Sequence, residues 1–189
     1  MKLADTERLA KLPDAPPGAL EFDALYRAHV HFVWRSLRRL GVRDSALEDA
    51  TQEVFLVVHR RFQEFRPGPS EKAWLFAIAL RVASDQRRWV RRKGNLAPLR
   101  EELVEGVSSP LEGAIQREAS ELVLDFLEQL DEARRSAFIL CELEQMTGSE
   151  AGTALGISPN TYFSRVYSAR KALAKYLQER GITAPESAP

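Results

Sequence analysis

LGISPNTYFSRVYSARKAL, Leu155 to Leu173, is the stretch on which the fold turns. Ser158 caps the start of a helix, because its hydroxyl satisfies a free backbone N–H of the first turn, and Pro159 suits the first helical position, where no N–H is needed. Tyr162, Val166, Ala169, Leu173 and Tyr176 or Leu177 recur at three- and four-residue spacing, so they form one stripe that must pack against something. Asn160, Ser164, Tyr167 and Lys171 take the other side, flanked by Phe163, Arg165, Ser168, Arg170 and Lys175. That side is rich in hydrogen-bond donors.

Immediately upstream, Gly148 to Leu155 reads as a short helix and Gly156-Ile157-Ser158 as a turn, with Gly156 able to take positive φ at little cost. The layout over Gly148 to Lys171 is that of a helix-turn-helix, whose second helix lies in a DNA major groove with its first turns at the base edges. On this reading Asn160 pairs with adenine, Arg165 with guanine or a phosphate, and Phe163 meets a thymine methyl. Ser164, Ser168 and Lys171 hold phosphates, and Ser158, Thr161 and Tyr167 complete the candidate set near a helix start whose dipole favours an anion. The competing reading is a surface helix of an all-helical bundle with merely solvated cations. Tyr162 stands where a medium aliphatic is usual in such a motif, and the small Ala151, Gly152 and Ala154 of the first helix offer compensating volume.

Working outward, 189 residues with 44% hydrophobic content suffice for one sizeable core or two small ones. The 27 basic and 27 acidic residues balance overall but not locally. Arg81, Arg87, Arg88, Arg91, Arg92 and Lys93 face only Asp85, whereas Arg100 to Glu118 carries five acids against Arg100 and Arg117. Glu121 to Glu150 then holds eight acids against Arg134 and Arg135, while Arg165, Arg170, Lys171, Lys175 and Arg180 oppose only Glu179. The single cysteine, Cys141, lies in the apolar run AFILCEL, which excludes an intrachain disulfide, favours a buried small hydrophobe and fits a reducing compartment. No stretch approaches the ~20 apolar residues of a membrane span and no signal peptide is evident, so a cytoplasmic protein without membrane insertion is expected.

The pattern predicts an all-α protein: two helical domains joined by a flexible linker. Residues 1–18 read as a loose, proline-rich segment and 182–189 as a loose tail. A first helix over Leu20 to Leu40 turns Phe22, Leu25, Tyr26, Val33, Leu37 and Leu40 inward and stops at Gly41. Asp44 caps a second helix through Phe65 with Leu47, Ala50, Val54, Val57 or Val58, Phe62 and Phe65 on one stripe, leaving Phe55 and Leu56 as a second apolar patch. Ser70 caps a third over Ala73 to Lys93, with Leu75, Ile78, Val82 and Trp89 inward and Trp74, Arg81 and Arg88 on the other side. These make a first domain over 19–93. An acidic linker over 94–110 leads to a second domain over 111–181, with helices at about Leu111 to Gln129, Glu132 to Glu144, Gly148 to Leu155 and Pro159 to Arg180.

LEDATQEVF (Leu47 to Phe55), AWLFAIALRVASDQRR (Ala73 to Arg88) and LGISPNTYFSRVYSARKAL, in this order, resemble the extracytoplasmic-function sigma factors, small promoter-recognition subunits of bacterial RNA polymerase. The resemblance covers Phe22 to Lys93 and Leu122 to Leu177. It implies that the first domain docks on the polymerase core, chiefly its largest subunit, through Asp49, Gln52, Glu53, Phe55 and Leu56, with the second-largest subunit also a partner. It further implies that the third helix captures one strand of the start-proximal promoter element through Lys72, Trp74, Arg81, Arg88, Trp89, Arg91 and Arg92, by base flipping, backbone tracking and aromatic stacking. Trp74 and Trp89 read equally as core anchors, Trp89 the more so, and Asp85 as the partner of a nearby arginine. Leu80-Arg81 stands where the family often has Arg-Asn, so the base read there does not carry over. Glu101, Glu102 and Glu105 either mimic nucleic-acid charge inside the polymerase or belong to a plain tether. An anti-sigma factor is a further partner that the resemblance allows.

Catalysis has little support, and no cofactor or metal is expected: His29, His31 and His59 are not in ligand spacing with cysteine, and no phosphate-binding glycine loop is present. Two other functions compete with promoter recognition together with polymerase: a free-standing helix-turn-helix repressor, and a polymerase-binding regulator that recognises no promoter.

Overall fold

The computed structural model describes residues 19–62, 70–93 and 110–182. Seven α-helices occur in them, and no strand. α1 is Ala19–Arg39, α2 Leu47–Arg61, α3 Glu71–Lys93, α4 Pro110–Gln129, α5 Glu132–Phe138, α6 Gly148–Leu155 and α7 Pro159–Glu179. The expected loose ends apart from Ile182, the linker apart from Pro110, and Phe65 lie outside the described residues.

α1, α2 and α3 pack pairwise into a first module. Its interior is built from the predicted stripes: Val33, Leu37 and Leu40 of α1, Leu47, Ala50, Val54 and Val58 of α2, and Leu75, Ile78 and Val82 of α3 are all buried, with Phe76 and Ala79 beside them. Each stripe follows the 3.6-residue period, so a straight helix sets all its members against its neighbours. α1 ends in a paired turn in which the Val42 N–H reaches the Leu37 carbonyl at 3.0 Å and the Gly41 N–H the Arg38 carbonyl at 2.9 Å. Gly41 sits at φ +87, as this helix-ending motif requires.

Asp44 does not cap α2. It lies in a short 3-10 turn, Asp44–Ala46, and pairs with Arg38 at 3.2 Å, while Ala46 precedes α2 without a side-chain cap. Ser70 does cap α3, accepting from the Ala73 N–H at 3.1 Å. Phe55 belongs to the core, 4% exposed with its ring centroid 4.7 Å from that of Tyr26 in an edge-to-face pair, so the second apolar patch shrinks to Leu56. Tyr26 correspondingly lies at the rim of the core, 40% exposed. Trp89, expected inward, is 44% exposed: toward its C-terminal end the covered side of α3 passes through Gln86, Arg87 and Val90, which face the segment between α1 and α2, and Trp89 is turned away from it.

The second module packs α7 across α5 and α6, with Phe126 of α4 set between Phe138 and Tyr176 at ring distances of 5.2 and 5.4 Å. α5 continues without a break into a π-helical stretch, Ile139–Leu143, where the Glu144 N–H reaches back to the Ile139 carbonyl at 3.0 Å. A chain leaving this wide turn must reverse at once, and Gln145 does so with φ 52, a left-handed conformation uncommon outside glycine. Cys141 is half-buried rather than sealed in. The two modules share one continuous apolar cluster, and α6 packs directly on α3.

Candidate nucleic-acid and polymerase interfaces

The helix-turn-helix is closed at both ends by its own sequence. Thr147 and Glu150 form a reciprocal cap on α6: the Thr147 N–H donates to the Glu150 carboxylate at 3.0 Å, and the Glu150 N–H to the Thr147 hydroxyl at 3.3 Å. The Thr147 hydroxyl, also donating to this carboxylate, holds the Glu150 pKa below its ordinary value. The turn follows with Gly156 at φ +65 and the Ile157 N–H bonded to the Gly152 carbonyl at 3.0 Å. Ser158 then accepts from the Thr161 N–H at 3.2 Å, starting α7 with Pro159 in its first turn.

On α7 the predicted stripe is buried, with Tyr162, Val166, Ala169 and Tyr176 at 2% exposure or less. This fixes the rotation of the helix, and the opposite side faces solvent. Asn160, Thr161, Phe163, Ser164, Tyr167, Ser168 and Lys171 are exposed, as is the cap residue Ser158, and Arg165 is half-buried. Neither Arg165 nor Lys171 has an ion pair among the described residues. Phe163 is 54% exposed with one ring edge resting on Gly148, where an added Cβ would come within 2.7 Å of it. Arg170 is different: it donates to Glu142 at 2.8 Å, and this carboxylate raises its pKa and pins α7 to the π-helical stretch.

The volume compensation expected around Tyr162 takes another form. A Cβ at Gly152 would lie 2.9 Å from the Ile157 carbonyl, so the missing side chain makes room for the turn. Tyr162 is fully buried in the same core as Ala151, and its hydroxyl has no hydrogen-bond partner among the described residues; burial first, and the Cys141 thiol next, push the phenol pKa well up.

On α3, Lys72, Arg81, Arg88, Trp89, Arg91 and Arg92 are exposed, and Trp74 is half-buried against the core. Lys72 sits 5.6 Å from the Phe32 ring centroid, a cation over an aromatic face. Asp85, expected to pair with an arginine, is exposed and has no ion pair among the described residues. On α2, Asp49, Gln52, Glu53 and the half-exposed Leu56 form one outward face, with Phe55 supporting it from below. The structure thus keeps three separate sets of candidates on three helix surfaces, with Phe55 and part of Trp74 withdrawn from solvent.

Profiles of two families match the chain: Sigma-70 region 2 over residues 25–93 and Sigma-70, region 4 over residues 120–173. The ECF RNA polymerase sigma factor SigE of Mycolicibacterium smegmatis is 31% identical over 93% of this chain and 73% of its own length. The chain belongs to the extracytoplasmic-function sigma factors. SigL of Mycobacterium tuberculosis is 30% identical over 85% of this chain and 90% of its own. The fold of this sigma factor also matches that of CnrH in complex with the cytosolic domain of CnrY, at TM-score 0.63 and 24% identity, covering 84% of this chain and 88% of that one. RpoE in complex with the anti-sigma factor NepR from Bartonella quintana matches at TM-score 0.67 and 21% identity, over 84% and 97%.

As a sigma factor the protein directs RNA polymerase to promoters and takes part in initiation. The region 2 match runs from within α1 to the end of α3, and the region 4 match from within α4 to within α7. Among the described residues, no helix is long and apolar enough to cross a membrane and no group of side chains could hold a metal ion. Sequence reasoning missed the charged residues between the modules. Arg135 is 8% exposed and donates to the carbonyls of Leu127, Glu128, Leu130 and Leu40. Its only sequence signal is that it and Arg134 are the sole bases in a long acidic run, which does not distinguish a surface pair from a buried clamp.

Proposed function

We propose that the exposed side of α7 reads the upstream promoter element in duplex form, while α3 holds a separated strand of the start-proximal element and the outer face of α2 binds the polymerase core. The observation that carries this reading is the fixed rotation of α7: its buried stripe turns Asn160, Ser164, Tyr167 and Lys171 together toward solvent, and its first turn has no acid. Asn160 suits an adenine edge and Arg165 a guanine or phosphate, with Ser168 and Lys171 positioned along the backbone. Arg81, Arg88, Arg91 and Arg92 supply salt-dependent attraction for a strand, and Trp89 offers a face for base stacking. Asp49, Gln52, Glu53 and Leu56 give α2 a polar face with one apolar contact, supported from within by Phe55. The non-enzymatic role follows from this division of labour, in which every surface binds and none carries out a bond-making step. The complex of RpoE with the anti-sigma factor NepR supports an anti-sigma protein as a further partner.

A free-standing repressor would leave the region 2 match without a role. The test is transcription from a promoter template by core polymerase with and without the protein. Promoter-specific transcripts that depend on it are expected, and Leu56→Asp should lower core affinity by at least tenfold without changing helix content. Tight operator binding without polymerase, together with no measurable core binding, would overturn the reading.

A further inference from the structure

Gly148 opens α6, and nothing in its backbone calls for glycine. Gly41, Gly156 and Gly181 are the glycines with positive φ among the described residues, and Gly148 is not one of them. A helix position filled by glycine without such a need is weaker than one filled by alanine, because glycine surrenders more backbone freedom on folding. What a side chain would meet here is Phe163 of α7: a Cβ on Gly148 would lie 2.7 Å from the ring Cε2, 2.8 Å from Cζ and 3.8 Å from Cδ2. An edge of that ring therefore occupies the space of the missing side chain. The Tyr162 ring closes a second side, with centroids 5.2 Å apart and planes tilted by 56°. Phe163 is nevertheless 54% exposed, so it is held on two sides and open on the rest.

We propose that Gly148 is a positioning residue for promoter specificity: it seats the Phe163 ring between the first turns of α6 and α7, so that the open side of the ring selects a thymine of the upstream element by its 5-methyl group. The proposal rests on the reading of α7 given above and adds to it a residue outside that helix. In a docked helix-turn-helix the first helix crosses the DNA backbone while the start of the second lies at the base edges, so a ring lodged between the two starts stands beside the first bases read. The phenyl ring has no donor or acceptor for a base edge, and the apolar feature of the major groove is the thymine methyl, which cytosine lacks. Asn160 and Tyr167 lie three residues before and four after Phe163, on the same side of α7, so the methyl contact falls next to the adenine edge assigned to Asn160.

The surroundings make the ring the part that yields. The reciprocal cap of Thr147 and Glu150 ties the first turn of α6, and just before it the Met146 N–H reaches the Leu140 carbonyl at 2.9 Å. α7 cannot rotate away, because Tyr162 and Val166 are buried on its other side. A methyl group at position 148 is thus accommodated by turning Phe163 about its side-chain torsions, which keeps both helices in place and swings the ring off its seat. A ring held on two sides is also ordered before DNA arrives, so binding does not have to immobilise it.

The probe is the upstream-element duplex that the protein, bound to core polymerase, recovers from a random-sequence pool, with its thymines replaced one at a time by deoxyuridine. This removes the methyl group and keeps every hydrogen-bonding edge. At one position at least, the parent should lose about fourfold in affinity, the worth of one buried methyl group. Phe163→Ala should abolish that loss, and Gly148→Ala should cut it to less than about twofold. Gly148→Ala should keep the parent's affinity for the uracil duplex, its core binding and its helix content by circular dichroism. Persistence of the full methyl effect in Gly148→Ala would overturn the proposal, as would equal weakening of that variant on thymine and uracil duplexes, the mark of a general distortion of α7. A recovered element with no methyl-sensitive position that responds to Phe163→Ala would overturn it as well, while leaving the reading of α7 intact. If no common element is recovered although core polymerase is bound, the reading of α7 itself falls, and this proposal with it.

Discussion

α7 and α3 are helices of similar length, 21 and 23 residues, and both carry several cations, yet they use them differently. On α7 the structural ties lie along the edges of the exposed side, with Arg170 on Glu142 and Lys175 on Glu179, while Arg165 and Lys171 have no ion pair among the described residues. On α3 the division runs along the helix face: Ser84 and Arg87 are tied to the neighbouring module, and Arg81, Arg88 and Arg91 remain open. An arginine run is therefore not one feature. A guanidinium held by a carboxylate or a carbonyl secures the fold, and one with only water around it is available to phosphate.

Substitutions can break or sharpen this contrast. The largest effect is expected inside the helix-turn-helix: Tyr162→Ala should cost about 4 kcal/mol in denaturant unfolding, because a fully buried ring leaves a cavity under α7. Tyr162→Phe should change stability by less than about 1 kcal/mol, since among the described residues the buried hydroxyl has no hydrogen-bond partner to lose. Arg135→Met should cost about 3 kcal/mol by the same measurement, as four carbonyls lose their donor. Equal stability of the Met variant and the parent would show that this arginine is not structural and erase the contrast.

Smaller effects test the open cations and the acid response. Arg165→Ala should leave stability within about 0.5 kcal/mol while weakening upstream-duplex binding and lowering its salt slope by about 1. Burial alone would raise the Glu132 pKa, but the Ser84 hydroxyl and Arg87 outweigh it and hold the group below its ordinary 4.5. A carboxylate depressed on folding contributes stability that is present above about pH 4.5 and is lost as pH falls through the folded value. Glu132→Gln should therefore flatten the acid limb of the stability curve between about pH 5 and 3, measured by denaturant titration, with little change in slope near pH 7. The smallest effect is at the reversal after the π-helical stretch, where Gln145→Gly should stabilise by about 0.5 kcal/mol by relieving a positive φ.

Most helix boundaries were legible in the chain because local rules set them. Ser158, Pro159, Ser70 and Gly41 act on backbone groups within a turn of themselves, so their effect needs no tertiary partner. Asp44 was misread because Arg38, across the turn, outcompeted the free N–H groups it would have capped. Trp89 and Phe55 exchanged their expected places for a related reason. Periodicity gives the direction of a side chain, but whether that direction is covered depends on what packs over it, as Tyr26 does over Phe55 while the covered side of α3 passes Trp89 by.

By itself the sequence determined an all-helical chain, the two modules, and the side of α7 that faces away from the core, because three- and four-residue spacing and capping chemistry are local. Tertiary structure alone decided which arginines are open and which are bound, and that Arg135 reaches the end of α1. Those outcomes depend on carbonyls and carboxylates 95 and 45 residues away in the chain, at distances that no spacing rule encodes.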